Sequence, residues 1–316
     1  MADYVLSCCS TADLSKEYFT ARDIKYVCFH FELGGTEYLD DLGISVPPAE
    51  LYRRMVAGED TKTSQVPVKE YEDLFEESLS QGKDVIHLTL SSGISGSYNS
   101  ACIARDEMQE KYPDRKIYVI DSLAASSGYG LLVDAAADRR DEGMNIDDLY
   151  TWIEENKLRI HHWFFSTDLT FYIRGGRVSK TAGFIGTIMN ICPLLNVSNE
   201  GKLIPREKIR TKKKVIRRIV DLMRENADNG TDYSGKCLSA SLRAWTMPEL
   251  LLISLKPNFQ SLTARCRSTL SVLRSAATQV PELSPCSSLV KREKIRSKRH
   301  SRTSDYAFFQ LLFIKS

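Results

Sequence analysis

Residues Leu88 to Ala101 read LTLSSGISGSYNSA, and the order of residue types in this stretch decides the fold. The apolar run DVIHLTL ahead of it has the length and composition of a buried strand. A turn rich in Gly and Ser follows, and then GSYNSACIARDEMQEKY carries a helical pattern. Strand, small-residue turn and helix in that order form one unit of an α/β domain with a parallel sheet. The helix start offers unpaired backbone N–H groups and the positive end of the helix dipole. Gly93 and Gly96 let the backbone approach a ligand closely, and Ser91, Ser92, Ser95 and Ser97 add hydroxyls. Such a turn can cradle a carboxylate or a phosphate. It can equally be a well-capped helix start with nothing bound.

The units on either side repeat the alternation. DYVLS and IKYVCFHFEL read as strands, and SVPPAELYRRMVAG reads as a helix with Ser45 as its cap and Gly58 at its end. VPVKEYEDLFEESLSQG is a second helix, KIYVID a strand, and SGYGLLVDAAADRRDEG and NIDDLYTWIEENKLRI are helices. HHWFFSTD restarts a strand and, with it, a second α/β domain. CPLLNVSNEGKLIPREKIRT predicts a hairpin turning at Asn199–Glu200–Gly201, and KKKVIRRIVDLMRENADNG a basic amphipathic helix. The domains expected are thus 1–160 and 161–237.

Composition bounds the function classes. The chain has 316 residues, 42% hydrophobic and 27% charged, as an ordinary globular protein has. No apolar run reaches the roughly 18 residues of a membrane span, and the N-terminus has no secretion-signal pattern. None of the eight cysteines forms a CxxC pair or a metal-ligand spacing with histidine. Cys8 and Cys9 end a strand and are expected in the core. The expectation is a cytoplasmic protein without metal, cofactor or stable membrane insertion.

Two further stretches carry polar chemistry. TKTSQVP, Thr61 to Pro67, reads locally as a helix start capped by Thr63 or Ser64, with Pro67 in the first turn. IRGGR places Arg174 and Arg177 around a glycine pair, as solvated charges or as a grip on an anionic group or acidic partner. The apolar stretch AGFIGTIMNICPLL that follows is either core or the wall of a lipid tunnel. Gly93-Ile94-Ser95-Gly96-Ser97 also approaches the G-x-S-x-G nucleophile elbow but ends in serine. A hydrolase built on Ser95 would take its base from His87, His161 or His162.

Taken in order, TSQ, SSGISGSYNSA, YIRGGR and CPLL…EGKL…EKIRTKKK resemble the motifs of the DegV family of bacterial fatty-acid-binding proteins, from about Asp3 to Cys237. Some of its members are the lipid-carrying subunit of a two-component fatty acid kinase. The resemblance implies a two-domain α/β protein holding a long-chain fatty acid between its domains. It places the carboxylate at Thr63, Ser64, Ser95 and Gly96, the acyl chain in an apolar tunnel, and the partner kinase at Arg177 with Arg174 beside it. It implies no catalytic residue. The rival is a serine hydrolase of acyl esters acting through Ser95.

The last 79 residues break the pattern. From Met1 to Cys237 there are 30 Lys and Arg against 37 Asp and Glu, but from Leu238 onward 13 against 4. All 17 glycines precede Leu238, where a frequency near 7% would put about five or six after it. The family's closing His-Thr-Gly-Pro-Gly motif, whose histidine completes the carboxylate pocket, is missing. Read one base out of frame, the codons allowed from Leu238 can spell ISQSACLDDARAVADLIEAKFP. Those of Ala277 to Glu282 can spell His-Thr-Gly-Pro-Gly, with TVALFF after it. Residues 238–316 are therefore expected to be an out-of-frame tail that does not fold natively. Unpaired strands would be left, and with them weak lipid binding and poor stability. The basic run KREKIRSKRHSR belongs to that tail and is not read as a nucleic-acid site.

Overall fold

The computed structural model describes residues 3–228 apart from 168 and 180–190, together with 232–233, 235–241 and 308–314. The N-terminal region runs β1 (Tyr4–Cys9), α1 (Lys16–Ala21), β2 (Ile24–Val27), β3 (His30–Leu33), β4 (Thr36–Leu39), α2 (Pro48–Val56) and β5 (Thr61–Ser64). It continues through α3 (Val68–Leu79), β6 (Asp84–Thr89), α4 (Ser97–Lys111), β7 (Ile117–Asp121), α5 (Ser126–Asp141) and α6 (Ile146–Asn156). A second region holds β8 (Ile160–Ser166), α7 (Thr170–Arg174), β9 (Ile191–Val197), β10 (Leu203–Arg210), α8 (Lys212–Asn226), β11 (Cys237–Ser241) and β12 (Phe308–Ile314).

The first sheet is parallel, with strand order β2-β1-β6-β7. Its strands are apolar on both faces because helices cover both, as in other parallel sheets. Leu6, Ile86 and Leu88 are fully buried, and Cys8 and Cys9 lie with them in the core. The strand expected over IKYVCFHFEL is two strands. Ser10 Oγ takes the Phe29 N–H, and the Phe29 carbonyl accepts from Asp40 N–H. The chain thereby leaves the parallel sheet and enters a three-stranded antiparallel one, β4-β3-β5.

Both helix starts in this part differ from expectation. The α2 cap is Pro47, because Asp41 Oδ1 accepts the N–H groups of Ile44 and Ser45 and holds Ser45 in a preceding turn. TKTS is not a cap but strand β5, in which Thr63 pairs with Phe31 and Ser64 with His30. The cap of α3 is Pro67.

The second sheet has the order β10-β9-β8-β12-β11 and is antiparallel. Its β9–β10 hairpin turns where the sequence predicts. Gly201 has φ 71° and donates its N–H to Ser198, and Ser198 N–H donates to Lys202. Helix α8 lays Val215, Ile216, Ile219 and Met223 against Phe165, Cys192 and Leu194 of this sheet. Lys236 joins the regions by ion pairs to Asp134 and Asp138 of α5. Being partly exposed, these orient more than they stabilise.

Two stretches of residues 237–316 are among those described. Cys237–Ser241 is β11, and Phe308–Ile314 is β12, paired with both β8 and β11. The seven residues FFQLLFI favour an extended chain, and a slot flanked by two strand edges satisfies their backbone groups. Residues 242–307, with the SAATQVPE segment and the basic run, lie outside the described residues, as do 180–190 of the AGFIGTIMN stretch.

Candidate functional site

In the first sheet the chain leaves β1 toward β2 on one side and reaches β6 on the other. Strand order therefore reverses between β1 and β6, and open α/β sheets take ligands in the crevice at the carboxyl ends of such a strand pair. Two loops frame it here, residues 10–15 after β1 and residues 90–96 after β6.

The second loop is tightly tied. Ser91 accepts the N–H groups of Ile94 and Ser95 at its carbonyl, while its buried hydroxyl donates to the Gly201 carbonyl at 2.8 Å. The hairpin turn of the second region thus rests on this loop. Gly93 is needed there, since a Cβ on it would lie 2.6–2.8 Å from backbone atoms of Glu200 and Gly201. Ser95 Oγ meets Ser97 Oγ at 3.0 Å and accepts the Ser97 N–H, which orders the first turn of α4.

Gly96 serves another approach. A Cβ there would overlap the Gln65 side chain, whose amide reaches Ser100 on α4, and Val66 N–H donates to Ser97 Oγ. The segment Thr63–Val66 is thereby laid beside Ser95 and Gly96, so the two hydroxyl-bearing stretches share one rim of the crevice. Arg177, beyond the end of α7, extends Nη2 to Thr63 Oγ1 at 3.4 Å. Arg174, in the last residue position of α7, is exposed and makes no hydrogen bond to this group. Ser64 is exposed on β5.

The electrostatics of this rim suit an anion. It combines a guanidinium, hydroxyls and the N-terminus of a 15-residue helix. The β1 loop is different and was not singled out in the sequence, although STAD directly after a strand end was a signal for it. Asp13 has φ 55° and accepts from Ser126 Oγ. Asp13 is exposed, and desolvation by the atoms packed around it pushes its carboxyl up to about 6, against the Ser126 hydrogen bond. Burial likewise raises Asp40, and burial with the charges of Asp13 and Asp40 pushes the Tyr52 phenol up to about 12.

The raised Asp13 carboxyl has a consequence for stability. Its folded value lies above the ordinary 3.8, so the folded state loses stability as pH rises from about 4 to about 6 and stays lower above that. Asp13→Asn should therefore stabilise the protein at pH 8 more than at pH 4. Denaturant midpoints of both proteins at the two pH values measure this, and an equal difference at both would show Asp13 to be an ordinary carboxylate.

Of the three histidines considered as a base, His87 and His162 are buried and weakly basic. His87 is fully buried, bonded to Ser7 Oγ at 2.9 Å and near Cys9 Sγ at 3.8 Å, and burial lowers it to about 3. His162 is buried on β8 against Gly128 and lowered to about 3 by desolvation and then by His161. The Ser95 hydroxyl meets Ser97. Among the described residues no helix is long and apolar enough to cross a membrane, and no group of three His, Cys, Asp or Glu is placed to hold a metal ion.

Comparison with known proteins gives the same frame. The profile of the family described as "Uncharacterised protein, DegV family" matches residues 9–242. A DegV domain-containing protein of Clostridium perfringens is 37% identical over 234 residues, 74% of this chain and 80% of that protein. One from Streptococcus pyogenes is 36% identical over 222 residues, 70% of this chain and 78% of that protein. Among solved structures, a stearic-acid-binding protein from Eubacterium ventriosum superposes with a TM-score of 0.74 at 22% identity, covering 99% of this chain and 98% of that one. The Streptococcus pneumoniae fatty acid kinase (Fak) B3 protein loaded with linoleic acid gives 0.69 at 22% identity, covering 83% of this chain and 90% of that one. At such identities these two likenesses speak for the fold.

Proposed function

The chain belongs to the DegV family, and from that premise we propose that it binds a long-chain fatty acid and presents the carboxylate to a partner kinase for acyl-phosphate formation. The observation that carries this reading is the contact of Arg177 Nη2 with Thr63 Oγ1 at 3.4 Å, on a segment that Gln65 and Val66 tie to Ser100 and Ser97 of α4. Those groups form hydrogen bonds to a carboxylate that strengthen with its charge, and an acyl chain gains about 0.8 kcal/mol per buried CH2. Ser64 and Gly96 border the same rim. The partner, a fatty acid kinase subunit, approaches through the exposed Arg174 and Arg177, and the setting is the cytoplasm. That solved relatives were found with stearic and linoleic acid supports the ligand class.

A serine hydrolase is the poorer reading, because the Ser95 hydroxyl is paired with Ser97 and the buried His87 and His162 are too weakly basic to take its proton. Organic extraction and mass spectrometry of the purified protein test the choice. A carrier releases intact fatty acid and does not label with a fluorophosphonate; labelling at Ser95 would establish the hydrolase instead. Ser95→Ala should weaken binding about 10- to 100-fold, from a charge-assisted hydrogen bond of about 1.5–3 kcal/mol. An unchanged affinity by calorimetric titration would remove Ser95 from the pocket.

We propose further that residues 238–316 are translated out of frame and that binding is impaired in consequence. The loss of glycine from Leu238 onward supports this, as does a family profile that stops at residue 242.

A further inference from the structure

His30 stands on β3 with a carboxylate at each ring nitrogen. Its Nδ1 lies 3.2 Å from Glu37 Oε1 of β4, and its Nε2 lies 2.8 Å from Glu70 Oε1 of α3. A neutral imidazole has one N–H and one lone pair, so it would serve one of these oxygens and turn its lone pair on the other. Only the imidazolium donates to both. The side chain is 16% exposed, which leaves water little room to replace either glutamate.

The neighbouring groups call for the same charge. Glu32, two residues along the same face of β3, lies directly opposite Glu37, and like charges so placed weaken a sheet. Lys62 of β5 lies opposite Glu32, and Ser64 opposite His30. Lys69 of α3 is paired with Glu72 and Asp73. Cys28, ahead of β3, stays a thiol, pushed up to about 11 by burial and then by Asp40, Asp41 and Glu70. Without the His30 proton, Lys62 is left against Glu32, Glu37 and Glu70. Burial lowers the imidazole, but the hydrogen bonds and charges of Glu70 and Glu37 outweigh it, and the pKa of His30 is raised from 6.5. The stability this adds is complete below 6.5 and is lost as pH rises through the raised folded value.

The charge acts on the strand that carries Thr63. β5 is an edge strand held by β3, with Thr63 opposite Phe31. From Ser64 the chain turns through Gln65, Val66 and Pro67 into α3, whose first turn holds Glu70. The His30–Glu70 bond thereby closes a ring. The ladder joins β3 to β5, the turn joins β5 to α3, and the imidazolium joins α3 back to β3. The turn inside this ring is the segment that Gln65 and Val66 tie to Ser100 and Ser97 of α4. Braced on three sides, the ring fixes where Thr63 stands relative to Arg177 and α4. With one side open, strand and helix pivot about the turn.

We propose that His30, charged and bonded to both glutamates, is a positioning residue for Thr63, and that fatty-acid affinity falls as pH rises and His30 loses its proton. The proposal rests on the fatty-acid reading of the site. Because binding and protonation are linked, bound fatty acid must in turn make His30 harder to deprotonate by the same factor.

The test uses the full chain, with sodium oleate as the probe. From pH 6 to pH 9 the parent should lose about tenfold in affinity relative to His30→Gln, an ordinary size for coupling between sites. The ionisation of oleate is common to both proteins and cancels in the ratio. His30→Arg, which keeps its charge throughout, should hold the tight binding at pH 9. With 15N-labelled histidine in the parent, the His30 titration should move up by about one pH unit when oleate saturates the protein. A His30→Gln variant whose affinity follows pH as the parent's does overturns the proposal. So does a His30 titration unmoved by oleate, and both results leave the fatty-acid reading standing. If the unaltered chain binds no oleate at either pH, the fatty-acid reading falls and the proposal with it.

Discussion

Gly201→Ala is expected to destabilise the protein by about 3 kcal/mol, and to release bound fatty acid, although residue 201 touches no ligand group. Two costs combine. At φ 71° an alanine sits in the left-handed region, at roughly 1–2 kcal/mol. Its Cβ would also lie within bonding distance of the Ser91 hydroxyl and 3.2 Å from the Leu123 backbone, an overpacking of about 1–3 kcal/mol. Ser91 cannot swing away freely, because it is fully buried and its hydroxyl is spent on the Gly201 carbonyl. The loop and the hairpin must separate, and Ser95, four residues along the same loop, moves with them. In temperature the change is roughly 6–12 °C. Gly93→Ala strains the same contact from the other side, so the double variant should lose less than the sum of the two. Circular dichroism melts and lipid content of the purified variants decide the matter. A midpoint within about 1 °C of the parent, with lipid retained, would show the contact to be dispensable.

Restoring the reading frame at codon 238 is expected to tighten fatty-acid binding about 10- to 100-fold. The restored chain gains the family's closing histidine, and one hydrogen bond to a carboxylate contributes about 1.5–3 kcal/mol. Resequencing the gene across codons 230–245 comes first. An extra base there would make the tail an artefact of the sequence in hand, whereas an unchanged frame would make it a property of the gene. Titration of oleate into both proteins then follows, and a restored chain that binds no tighter would defeat the proposal.

What the sequence made legible was local. The run from Asp84 to Lys111 announced strand, turn and helix because its apolar residues and its glycines and serines are contiguous, and the Asn199–Gly201 turn was as plain. What escaped depended on partners far along the chain. TKTS looks like a helix cap until His30–Leu33 comes to pair with it. Nothing within IKYVCFHFEL shows that Ser10 will break it in two. The approach of Arg177 to Thr63 joins residues that the motifs presented as separate, one for the ligand and one for the kinase.

The place of β12 bears on how the molecule is made. It lies between β8 and β11, yet it pairs with β8 residues about 150 positions earlier in the chain. The first region can assemble from neighbouring units as it is synthesised. The second sheet cannot close until residues 308–314 have been added, and until then β8 waits with one edge unsatisfied. Closure of that sheet is therefore a late event of folding, because the free β8 edge is filled by a strand far along the chain.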